Sequence, residues 1–191
     1  MAEAADLVFT RGLDAFGAVV DRLGPADWDR ATACDGWTAL DVLGHLGTSI
    51  RMGVSLLRGE QPTWPDALRP ADLVDGDPAG WWRATAAEAR DALDGAQLDL
   101  VMDTPMGPRT VADRLAFPAI DLWVHAWDIG HPAGIKVEVP ADVVDFAHAF
   151  IDPIPEEKVR GAEGAFGAEV APPAGATTTE AFIAWTGRPP R

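Results

Sequence analysis

The sequence predicts an all-α protein, a four-helix bundle with an additional C-terminal helix and an irregular tail. Three observations predict this class. Apolar residues recur three and four apart along several segments of helical length. The stretches between those segments are dense in Gly and Pro, and strand-like patterns are confined to two short pieces.

The first helix spans roughly Ala4 to Leu23, with Leu7, Leu13, Phe16, Val20 and Leu23 at helical spacing, and Gly24-Pro25 ends it. Thr38, with Asp41 three residues on, predicts a capped start for a second helix over about Ala39–Leu57, with Leu43, Leu46, Ile50 and Leu57 facing inward. Residues 59–80 carry Gly59, Pro62, Pro65, Pro70, Gly76, Pro78 and Gly80, the composition of a long surface connection. Trp81, Trp82, Ala86, Ala89 and Leu93 predict a third helix closed by Gly95. LDLVMDTPMGPRTV then reads as a short hairpin turning at Gly107. The fourth helix holds Leu115, Ile120, Leu122, Trp123 and Trp127 and ends at Gly130, with Pro118 implying a kink or a late start. A short extended piece, IKVEV, leads to a fifth helix, VVDFAHAFI, and a last helical stretch lies near Glu180–Trp185. The expected organisation is a bundle over residues 1–139, with residues 140–191 as a C-terminal helix and tail packed on the same domain.

Composition narrows the function. A chain of 191 residues that is 48% hydrophobic can bury a real core. Thirty acidic against 15 basic residues give a formal net charge of -15, so phosphate backbones and anionic headgroups are repelled and no nucleic-acid or membrane partner is expected. The start lacks signal-peptide character and no apolar run is long enough to span a bilayer, so a cytoplasmic location is expected. The lone cysteine, Cys34, excludes a disulfide framework and a multi-cysteine metal site. His and carboxylates remain as ligands.

The chemistry concentrates in DLWVHAWD. Asp121 and His125 are four apart and share one helical face, and Asp128 follows three residues later on that face. His45, in DVLGHL, sits among inward-facing leucines of the second helix. A bundle brings such side chains together, and imidazole with carboxylate is a ligand set for zinc and its neighbours. Spacing alone leaves other readings open: a surface pair, a histidine held by a hydrogen bond, or, for His45, a satisfied core histidine. Asp41 reads as a cap or as an acceptor for His45 rather than as a ligand. Cys34 reads as a buried, inert thiol, with a nucleophile as the minority view. His131 is expected to be solvated at a helix end, His148 to be structural, and the tryptophans to be mainly core.

TACDGWTALDVLGHL resembles the signature C-x-x-W-T-x-x-D-V-x-x-H-L of the DinB-like, mycothiol-dependent maleylpyruvate isomerase N-terminal family. DLWVHAWDIG is similar to that family's acidic-x-x-x-H-x-W-D segment, and GAFGAEV with AFIAWTGRPP resembles the tail of its short actinobacterial members. The resemblance implies a DinB-like four-helix bundle binding one divalent metal through His45, Asp121 and His125. Zinc is the expected ion, with nickel, iron or manganese as alternatives. The isomerase branch has Glu where this chain has Asp121, whose shorter side chain has to approach differently or through water. The resemblance further implies mycothiol or bacillithiol as a small-molecule thiol cosubstrate, and an S-transferase-like or isomerase reaction with a small electrophile. A non-catalytic metal- or small-molecule-binding bundle and a metal-assisted hydrolase are the alternatives. The expected assembly is a monomer or homodimer, and no catalytic residue beyond the metal ligands is assigned.

Overall fold

The computed structural model describes residues 2–58, 60, 63, 65–103, 107–160 and 165–190. Gly59, Pro62 and Gly164, which figure in the loop and tail motifs, lie outside the described residues. The chain forms two compact units, residues 1–136 and 137–191.

The first unit is the expected all-α bundle, built from α1 (Ala2–Val20), α2 (Ala39–Leu57), α3 (Pro78–Asp94) and α4 (Val111–Gly130). Its core joins Leu13, Phe16 and Val20 of α1 to Val42, Leu43 and Leu46 of α2, Trp82 of α3, and Ile120 and Leu122 of α4. Phe16 and Trp82 meet with ring centroids 4.4 Å apart, and the buried Trp123 indole donates to the Val8 carbonyl at 3.2 Å. Leu7, expected inward, is exposed, while Val8 and Phe9 are buried. Nine residues, about two and a half helical turns, separate Leu7 from Phe16 and put them on opposite faces.

α2 starts where the sequence indicates. Thr38 and Asp41 form a reciprocal capping box, with the Asp41 carboxylate accepting from the Thr38 amide at 2.9 Å and its hydroxyl at 2.8 Å. The same buried carboxylate accepts from the Ala71 amide and pairs with the Arg69 guanidinium. Burial alone would raise its pKa, but the Thr38 amide, the Arg69 side chain, the Thr38 hydroxyl and the Ala71 amide outweigh it and hold the carboxyl below its ordinary value. Part of the long connection is thereby tied down as a 3-10 turn, Pro70–Leu73. The close fit needs Gly44, because a Cβ there would strike the Pro70 carbonyl.

A two-residue hairpin, β1 (Val101–Met102) and β2 (Arg109–Thr110), precedes α4, with Gly107 at a φ of 91°. Residues 104–106 of the hairpin motif lie outside the described residues. α4 begins at Val111 and runs unbroken through Pro118, so the expected late start does not occur. The Thr110–Asp113 capping box nucleates the helix upstream, and the proline forfeits only its own bond to the Arg114 carbonyl. α2 and α4 run antiparallel: His45 faces Asp121, while the C-terminal half of α2 and the N-terminal half of α4 line one cavity.

The second unit contains α5 (Ala141–Ile151), α6 (Glu156–Val159) and α7 (Thr178–Trp185). IKVEV forms no strand, and the Val139 amide donates to the Thr179 hydroxyl at 2.9 Å. Trp185 organises this unit: His148, Phe166, Phe182 and the Arg160 guanidinium all lie against its ring. His148 also has a carboxylate partner, Asp152, at 3.2 Å.

Two glycines of α2 should respond oppositely to alanine. Gly44→Ala is expected to destabilise by about 1–3 kcal/mol through overpacking against rigid backbone. Gly53→Ala, where a Cβ meets nothing within 4 Å, should stabilise by up to about 1 kcal/mol through helix propensity. Urea unfolding of both variants checks the pair.

Candidate metal centre

The site begins with local folding. The segment before α2 is held by hydrogen bonds from the Thr32 amide to the Trp37 carbonyl and from the Trp37 amide to the Cys34 carbonyl, with Gly36 supplying a φ of 74°. The Leu40 and Ala39 amides donate back to the Trp28 and Arg30 carbonyls. Cys34 and Trp37 therefore sit on a fixed turn at the start of α2. His45 follows two turns into the helix, its ring centroid 5.0 Å from that of Trp37.

From α4, Asp121, His125 and Asp128 project along one face. The Nε2 atom of His125 lies 3.4 Å from Asp121 Oδ1, and the Nε2 atom of His45 lies 3.9 Å from Asp121 Oδ2. The two imidazoles meet edge to face at 5.5 Å between centroids. One ligand atom from each of His45, Asp121 and His125 falls within 4.8 Å of the other two. Bonds of about 2.1 Å to a tetrahedral ion put neighbouring donors roughly 3.4 Å apart, so this donor set fits a divalent metal. Asp121 sits between the imidazoles despite its short side chain.

Asp128 completes the arrangement. Its fully buried carboxylate lies 2.8 Å from His125 Nδ1, which fixes the ring and leaves Nε2 turned towards Asp121. A carboxylate behind a histidine is the usual support for a metal-ligating imidazole. Asp128 also accepts from the Cys34 thiol at 3.3 Å. Cys34 is half-buried rather than sealed in the core, and its neighbours in space are Asp128 and His125. Asp41 is the α2 cap and the partner of Arg69, and His131 is exposed and stacks on Trp127 at 4.5 Å.

Exposure is graded across the cluster: the side chain of His125 is 6% exposed, Asp121 17% and His45 30%. The open side is therefore the α2 side. Electrostatics separates the two histidines. Burial and repulsion from His125 lower the pKa of His45, more than Asp121 restores it, so its imidazole is neutral at neutral pH. Burial also opposes charge on His125, but the Asp121 carboxylate and the bonds with Asp128 and Cys34 dominate and push its pKa up to about 10. Without a metal, His125 carries a proton that coordination would have to displace.

Asp128, Trp37 and the placement of Cys34 exceed what the sequence reading assigned. Asp128 was visible as a second acid on the same face, but spacing does not distinguish a ligand from an orienting partner.

No helix among the described residues is long and apolar enough to cross a membrane. No curated protein matches the chain. Two solved structures share its fold. The crystal structure of the mycothiol-dependent maleylpyruvate isomerase aligns with a TM-score of 0.62 at 14% identity over 76% of this chain and 67% of that one. A histidine-to-alanine variant of that isomerase gives a TM-score of 0.62 at 13% identity over the same shares. The sequence model of the mycothiol maleylpyruvate isomerase N-terminal domain matches residues 9–130, which span α2, α4 and all of the candidate ligands. The chain belongs to the mycothiol maleylpyruvate isomerase N-terminal domain family.

Proposed function

We propose that this protein is a cytoplasmic, metal-dependent enzyme that joins a small-molecule thiol of the mycothiol type to a small electrophile, with His45, Asp121 and His125 as the metal ligands. The observation that carries this reading is the convergence of two Nε2 atoms on one carboxylate, with a second acid behind His125 and one side open. Three protein ligands with access from one side is the pattern of reactive rather than structural sites. Zinc is the ion best matched by two imidazoles and a carboxylate, with nickel, iron and manganese as alternatives.

A divalent ion held here would supply Lewis acidity that favours the thiolate form of a bound thiol at neutral pH. The chain's own residues prepare the site. Asp128 retains the Nδ1 proton of His125 and so keeps the Nε2 lone pair directed at the cluster. Asp121 offsets positive charge between the imidazoles. His45, neutral at neutral pH, offers its nitrogen at the exposed side, and Trp37 covers its ring. An acidic surface field makes an uncharged or locally guided thiol easier to admit than a polyanion.

A second reading makes Cys34 the nucleophile, favoured by its place beside His125 and Asp128. The geometry opposes it: Cys34 meets Asp128 on the Nδ1 side of His125, whereas the ligand atoms converge on the Nε2 side. Cys34→Ala is accordingly expected to keep its metal and to leave thiol transfer within a few-fold. Normal metal content with no turnover would make Cys34 the reactive group.

Substitutions at the three ligands test the centre. His45→Ala and His125→Ala should each abolish stoichiometric metal in protein purified without added metal, while circular dichroism stays helical. Asp121→Asn should lose metal more severely than Asp121→Glu, and equal loss in the two would assign Asp121 to packing.

The histidines also predict pH behaviour. Above its unfolded value of about 6.5, His125 still holds a proton in the metal-free fold. Metal binding near pH 7.5 should therefore release about one proton, read by calorimetry in buffers of different ionisation enthalpy. The raised pKa contributes stability that is fully present below about pH 6.5 and lost as pH rises towards about 10. Chelated protein should accordingly unfold at lower denaturant as pH increases through that window.

A further inference from the structure

α2 and α4 enclose a second feature. One turn beyond His45 on α2, and one turn before Asp121 on α4, the same antiparallel pair opens into a cavity of about 240 Å³. Ser49 and Pro118 stand at its near end, Met52, Gly53 and Leu115 along its walls, and Arg114 farther down α4. The lining is apolar apart from Ser49 and Arg114. Space of this size holds roughly a dozen non-hydrogen atoms at the packing density of protein interiors.

Arg114 is the informative residue. It is half-buried, its guanidinium reaches the Met102 sulfur at 4.0 Å, and among the described residues it makes no ion pair. A partly desolvated guanidinium beside an apolar cavity, on a chain rich in carboxylates, leaves its charge for an incoming anion. Arg114 precedes Asp121 by two helical turns, about 10 Å along the axis. Pro118, between them, removes the amide that would have bonded the Arg114 carbonyl and presents its ring to the cavity.

We propose that the small molecule acted on at the His45–Asp121–His125 cluster carries an apolar chain that ends in an acid, with the chain in the cavity between α2 and α4 and the acid against Arg114. The proposal rests on the functional reading above for the reacting end of the molecule. The cavity and Arg114 carry the other end independently.

Octanoate, its neutral amide and suberate, the same chain with an acid at each end, serve as calorimetric probes of as-purified and chelated protein. Octanoate should bind one per chain in both forms, roughly tenfold more tightly than octanamide. Arg114→Met should remove that preference. Gly53→Leu, which fits open space on a helix it stabilises, should weaken both ligands by roughly tenfold or more while leaving metal content unchanged. Suberate should exceed octanoate only in the metal-loaded protein, since without metal its second acid faces Asp121. Octanoate binding that ignores Gly53→Leu and Arg114→Met, or equals that of octanamide, would overturn the proposal. If the metal reading alone is wrong, metal is absent from purified protein and suberate gains nothing, yet octanoate still depends on both residues.

Discussion

The antiparallel register between α2 and α4 is the constraint on which the rest of this structure depends. It sets His45 against Asp121 and His125 and, one turn away, sets small and apolar residues against each other so that a cavity remains. Neither helix alone holds a site. The ends of the two helices are set by polar contacts: the Thr38–Asp41 box starts α2, the Thr110–Asp113 box starts α4, and Asp41 ties the Pro70–Leu73 turn to α2. Between those ends, Leu43, Leu46, Ile120 and Leu122 exclude water and hold the helices at contact distance.

The candidate centre shows how a bundle can keep opposite charge states on two chemically identical side chains. His45 loses charge because it is partly desolvated and faces another imidazole. His125 gains it because Asp121 and Asp128 flank both of its ring nitrogens. The difference comes from α4, where acids lie four residues before and three residues after the histidine. On α2 the acid four residues before His45, Asp41, is engaged by the cap and by Arg69 instead.

The sequence made one half of this legible and hid the other. Helical periodicity put Asp121, His125 and Asp128 on one face, and the Thr38 cap located α2 to within a residue. The resemblance paired His45 with them, which spacing could not do, because the phase of one helix carries no information about its neighbour's register. Cys34 was unreadable for the same reason: its partners are ninety residues away and meet it only through the turn before α2. Leu7 misled because it is apolar and lies in the same helix, yet six residues before Leu13 and nine before Phe16 it falls off their face. Of the two outcomes Pro118 allowed, the late start does not occur, because a strong cap upstream outweighs a single lost helical bond.

The unequal exposure of the three candidate ligands has a kinetic consequence. Asp121, His125 and the supporting Asp128 belong to one buried helix, so they form a half-site whose geometry outlasts small motions of the bundle. His45 closes that half-site from a more accessible helix. Access to the cluster is from the His45 side, while the α4 groups lie deeper. Exchange of an ion held there would depend on local loosening of α2 around His45 rather than on global unfolding, which would make residence time and fold stability separately adjustable quantities. Substitutions at the Asp41–Arg69 anchor would change how long an ion stays without touching any atom that binds it.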